Sequence, residues 1–116
     1  MREALAASVI CVIGTACAAS GPYRLRTPAP ADQNEVFFCV VAAMTQHGYR
    51  VERRDRAAGV VRGRAIRPRG RTSRGDPRYD ELAVTLLHDP AGDFLLITAD
   101  DRGHAQEIAQ RCGKPS

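Results

Sequence analysis

Apolar positions recur in two different periods along this chain. Val36, Phe37, Val40, Val41 and Met44 return every three or four residues, which predicts one buried face of a helix over 33–47. Asp32-Gln33-Asn34-Glu35 ahead of them has the form of a capping box, and Gly48 stands where a helix commonly ends. His47 falls in the last turn, where the C-terminal dipole favours a cation, and this role is preferred to metal ligation.

Beyond Gly48 the period drops to two. "YRVERR" (49–54) turns Tyr49 and Val51 one way and its charged residues the other. "GVVRGRAI" (59–66) puts Val61, Gly63 and Ala65 on one face, small enough for a helix to approach closely. "DRAAG" between them reads as a hairpin turn. "YDELAVTLLH" (79–88) alternates through Leu82, Val84 and Leu86, and "DFLLITA" (93–99) is a short buried run. "DPAGD" joins this last pair, with Pro90 and Gly92 at positions suited to a tight turn. A short helix, "GHAQEIAQRC", closes the chain with Ala105, Ile108, Ala109 and Cys112 on one stripe.

The predicted fold is therefore α+β: a two-layer sandwich with a four-stranded antiparallel sheet of two hairpins. One long helix precedes the sheet and a short one follows it. That domain occupies 32–116. The stretch 18–31, "AASGPYRLRTPAPA", holds three prolines, a glycine and no period, and reads as a tether.

The N-terminus differs in kind. After Met1-Arg2-Glu3 the chain is uncharged to Tyr23, and its most apolar part, "ALAASVICVIGTA", is shorter than the roughly 20 residues a membrane helix needs. A short apolar run ending in small residues is the pattern of an export signal. Ile13-Gly14-Thr15-Ala16-Cys17 resembles the signal of bacterial lipoproteins, a resemblance confined to residues 1–17. Ala16 and Cys17 match it well, whereas Gly14 stands where a leucine-like residue is usual. The resemblance implies removal of 1–16, a lipid on Cys17, an anchor and tether over 17–31, and a place in the bacterial cell envelope. Ala18, rather than a retention aspartate, implies the outer membrane in an organism with two membranes. The competing reading is ordinary cleavage after Ala18, which would leave a soluble periplasmic or secreted protein.

Of four cysteines, removal of Cys11 and lipidation of Cys17 would leave Cys39 and Cys112, and in an exported protein such a pair predicts a disulfide. No CxxC occurs to suggest a zinc ribbon or a thioredoxin-like site.

Charge is concentrated. Sixteen of the 17 basic residues are arginines, with Lys114 the lone lysine, and 50–78 holds 11 arginines against Glu52, Asp55 and Asp76, a balance of +8. Arg62, Arg64, Arg67, Arg69, Arg71 and Arg74 cross the second strand into a loop without hydrophobic period. Guanidinium forks suit phosphate, so lipopolysaccharide, anionic lipid and nucleic acid are the candidate ligands of this segment. Absence of tryptophan and few aromatics count against nucleic acid. The alternative is a solvated loop whose arginines pair within the fold.

Catalytic chemistry finds no footing. His47, His88 and His104 are scattered, and Asp100-Asp101 reads as the cap of the last helix. Asp80 and Glu81 point to opposite strand faces, and neither a nucleophile elbow nor a phosphate loop is present. The expectation is a non-catalytic envelope protein, an adaptor or structural component, with no cofactor and no metal. Its partners would be the membrane through its lipid and a further envelope protein, with polyanion binding as the rival function.

Overall fold

The computed structural model describes residues 21–115. The signal, Cys11 and the lipidation candidate Cys17 lie outside the described residues. Seven strands and two helices follow in the order β1 (Tyr23–Pro28), α1 (Gln33–Gln46), β2 (Tyr49–Asp55), β3 (Val60–Ala65), β4 (Gly70–Arg71), β5 (Pro77–Arg78), β6 (Glu81–Asp89), β7 (Gly92–Ala99) and α2 (Arg102–Cys112). The main sheet has the order β1-β7-β6-β3-β2, with every pair antiparallel. Helices on one face of an antiparallel sheet make it α+β.

The sheet has five strands rather than four, and the long helix lies between the first strand and the rest instead of before them all. The extra strand is Tyr23–Pro28, within the stretch read as a tether. It pairs with β7 from Tyr23↔Ala99 to Pro28↔Phe94. Its prolines do not forbid this, because an edge strand needs ladder donors on one side only. Tyr23 and Leu25 turn toward the core, while Arg24 and Arg26 turn outward. Beyond β1, Ala29 N–H donates to the Asp93 carbonyl at 2.9 Å and Lys114 N–H to that of Pro28 at 2.7 Å. The stretch is fastened at both margins.

Local chemistry sets the other boundaries. The Asp32 carboxylate accepts from the backbone N–H groups of Asn34 and Glu35, and α1 ends at His47 with Gly48 at φ +82°. Asp101 caps α2 by accepting from His104 N–H at 3.0 Å. The β6–β7 turn is the expected one: Asp89 pairs with Gly92, and its side chain accepts from Ala91 N–H at 2.8 Å.

The core lies between the helices and the inward residues of the sheet. Met44, Leu82, Leu95, Ile97 and Ile108 are fully buried there, each contributing about 1.5–3 kcal/mol by leaving water. The small inward positions of β3 serve the packing predicted for them. A Cβ on Gly63 would lie 3.3 Å from Met44 Sδ and 3.0 Å from the Arg50 carbonyl oxygen. Cys39 of α1 and Cys112 of α2 form a disulfide, with Cα atoms 5.7 Å apart. The bridge ties the last helix to the first.

Among the described residues the sheet's other face carries no helix. Its central rows run Arg26–Leu96–Thr85–Val60 and Arg24–Thr98–Ala83–Arg62 across the strands, apolar or small in the middle, with an arginine at one end of the first and at both ends of the second. At the far edge β2 is irregular between Val51 and Arg53. A kinked, arginine-rich edge resists pairing with another sheet.

Candidate anion-binding end of the sheet

One end of the sheet collects most of the chemistry. β1 begins there, β3 leaves it, β6 re-enters it, and α1 ends where α2 begins. Between β3 and β6 the chain does not form the featureless loop expected over 62–78. It forms an arm, in which β4 pairs with β5 through Gly70↔Arg78 and Arg71↔Pro77. Thr72 closes its turn: the backbone N–H groups of Arg74 and Asp76 donate to Thr72 Oγ1 at 3.3 and 3.2 Å. Gly75, at φ +90°, takes the left-handed position the turn requires. The absence of alternating hydrophobics reflects where the arm stands. Both of its strands are exposed on both faces and have no core to face.

The six singled-out arginines divide into three groups. Arg62 and Arg64 belong to β3 and lie on the helix-free face, where Arg64 Nε is 3.8 Å from Glu52. Arg69 is committed to the fold: its guanidinium donates to buried Asp80 at 3.0 Å and lies 3.8 Å from Asp101. Arg67, Arg71 and Arg74 are exposed on the arm, and Arg71 also donates to the Gly75 carbonyl at 2.7 Å. Among the described residues no carboxylate comes within ion-pair distance of Arg67, Arg71, Arg74 or Arg78. Arg78 was not among the residues singled out from sequence, although it lies in the same run.

Two shallow hollows flank the arm. One is lined by Gly21, Arg69, Gly70, Arg71, Arg78, Asp80 and Asp100. The other opens on the helix-free face, where Pro22, Arg62 and Arg78 surround a floor that includes Ala83 and Thr98. The start of the described chain thus stands against the arginine arm. At the arm's root Ile66 and Tyr79 are exposed beside Arg50 and Arg64.

Behind the arm lies a polar cluster that no sequence spacing announces, since its members come from six elements or connections. The Tyr49 hydroxyl is 2.8 Å from His104 Nδ1, and the His104 ring stacks obliquely on His47 with centroids 4.6 Å apart. His47 Nε2 lies against the Glu107 carboxylate but outside hydrogen-bonding geometry. The backbone N–H of His104, and secondarily the charges of His104 and Arg69, hold the Asp101 carboxyl below its ordinary range. Burial, with the charges of Asp80 and Asp101 added, pushes the Tyr49 hydroxyl up to about 12. It therefore stays protonated at neutral pH and donates to His104 whenever Nδ1 is unprotonated. Among the described residues no group of three or more His, Cys, Asp or Glu is placed to hold a metal ion.

This cluster has a pH signature. The folded state keeps Tyr49 protonated above its ordinary value of 10, so its contribution is full below pH 10 and is lost as pH rises toward about 12. Urea-unfolding midpoints measured across that interval should fall for the native chain. They should fall less steeply for Tyr49→Phe, which has no proton to lose.

No protein-family model matches the chain, and no curated protein matches it.

Proposed function

We propose that the protein is a non-catalytic, lipid-anchored component of the bacterial cell envelope, held by a lipid on Cys17 and acting as an adaptor or structural element. The observation that carries this reading is the Cys39–Cys112 disulfide. A bond across 73 residues, joining the only two cysteines of the described chain, belongs in an oxidising compartment. The lipobox-like end of residues 13–17 supplies the route there, and Ala18 favours the outer membrane. A non-catalytic role is favoured by the polar cluster behind the arm. Arg69 is paired with Asp80, Asp101 is occupied as a helix cap and Tyr49 is protonated, so each is spent on holding the fold.

Intact mass of the non-reduced chain, purified from an envelope, tests this reading. The expected species begins at Cys17, carries acyl chains and is lighter than its reduced form by the two hydrogens of one disulfide. A lipid-free chain beginning at Ala19 would replace the anchor with a soluble periplasmic protein. A full-length chain with free thiols would overturn the location altogether. In the adaptor role, crosslinking in the envelope recovers a discrete protein partner.

A further inference from the structure

We infer that the arginine arm docks on the phosphate-bearing surface of the membrane that holds the N-terminus, so that the domain sits on the bilayer in one orientation. The inference rests on the lipid-anchor reading for its choice of membrane. It rests on the fold for its choice of surface.

Three observations converge. The first is charge. Residues 66–79 carry five arginines against Asp76 alone, five minus one giving +4 on a projecting two-stranded arm. Arg69 is tied back to Asp80, which leaves Arg67, Arg71, Arg74 and Arg78 outward with no carboxylate partner among the described residues. Guanidinium groups match lipid phosphates in fork geometry. At the sheet's opposite end Arg26 pairs with Asp89 at 2.9 Å and Arg53 with Asp55 at 3.2 Å, which leaves Arg54 and Arg56 there without a carboxylate partner among the described residues. The arm therefore carries four such arginines against two at that end.

The second is position. Gly21 shares a hollow with Arg69, Arg71 and Arg78, and Pro22 shares the next with Arg62 and Arg78. Only Ala18, Ala19 and Ser20 separate Gly21 from Cys17. Four chain steps span at most about 14 Å. A lipid on Cys17 therefore brings the arm, and not the opposite end of the sheet, to the headgroups.

The third is the arm's root. Ile66, 56% exposed, and Tyr79 stand in water beside Arg50 and Arg64. An exposed aliphatic side chain next to an amphipathic ring suits the boundary between headgroups and acyl chains, where a ring is apolar at one side and wet at the other. Nucleic acid would use the ring and the arginines but has no use for the isoleucine. A basic patch beside a lipid also makes chemical sense, since a second signal converts weak tethering to firm, oriented attachment.

The test is hydrogen exchange of backbone amides 67–79 in the full chain, placed first in vesicles of phosphatidylcholine and then in the same vesicles carrying phosphatidylglycerol. Protection in the arm should appear only with the anionic lipid and should weaken as salt is raised. Each basic residue near an anionic surface is worth about fivefold, so Arg67→Gln with Arg74→Gln should lower that protection about 25-fold. Neither side chain makes a hydrogen bond or an ion pair among the described residues. The charge-matched pair Arg54→Gln and Arg56→Gln, toward the opposite end, should leave it unchanged. Equal protection in both vesicles, or equal loss with both pairs, would overturn the inference. So would equal protection when a single-stranded oligonucleotide is added to neutral vesicles, which would make the arm a nucleic-acid contact. Intact mass of the same sample reads the anchor separately: protection without a lipid on Cys17 would sink the anchor alone, and a lipid without protection would sink the docking alone.

Discussion

Replacing Cys39 and Cys112 together by alanine is expected to lower the unfolding free energy by about 4 kcal/mol, the largest single effect in the molecule. The bridge closes 73 residues, and the entropy withheld from an unfolded chain by a loop of that length corresponds to roughly this value. Net stabilities of small domains are about 5–15 kcal/mol, so the loss takes much of what holds the fold. The position of the bond explains what fails first. α2 meets the rest of the molecule through Ala105, Ile108 and Cys112, and only Gly113 to Pro115 follow it in the described chain. Cut loose from α1, it should fray from its C-terminal end and loosen its packing on α1, β1 and β7. Urea denaturation with and without reductant measures the effect, and the doubly substituted chain should match the reduced native one. Equal midpoints in oxidised and reduced samples would mean the bridge contributes little. A cytosolic copy, kept reduced, should be correspondingly prone to unfolding.

Gly59→Ala should destabilise by about 3 kcal/mol, although it adds a single methyl group. Gly59 sits at φ +71° at the end of the β2–β3 turn, a region that costs an L-residue with a Cβ about 1–2 kcal/mol. The added Cβ would also lie 2.9 Å from the Leu86 carbonyl oxygen. That oxygen belongs to a backbone fixed by the ladder, since Leu86 N–H donates to the Gly59 carbonyl at 2.7 Å. Relief requires moving β3 away from β6, and overpacking of this kind costs about 1–3 kcal/mol more. Gly48→Ala is the control. It shares the positive φ, at +82°, but has nothing within 4 Å of the new atom, so it should show the backbone cost alone. Thermal unfolding of the two variants side by side separates strain from collision. If they lose equally, the contact with β6 plays no part.

What the sequence determined by itself was most of what near neighbours along the chain govern. The face of α1, its Asp32 cap, the inward alternation of Tyr49, Val61 and Leu82, the Asp89–Gly92 turn and the Asp101 cap all follow from periods of 3.6 and 2 and from side chains reaching their own backbone. The cysteine pairing was legible too, because elimination left two candidates. The tertiary structure alone decided the rest. β1 has three inward residues, Tyr23, Leu25 and Thr27, set among prolines, too short a signal to separate from a tether. It becomes a strand because β7 offers an unpaired edge. The arm over Gly70–Arg78 has no hydrophobic period because it faces no core, so a pattern built on burial could not find it. The arginines looked alike as a run of charge, yet Arg69 is a strut on buried Asp80 while Arg67 and Arg74 point outward. The meeting of Tyr49 with His104 spans 55 residues, and that of Gly21 with Arg78 spans 57. Contacts at such separations depend on how the sheet is ordered, which no local period encodes.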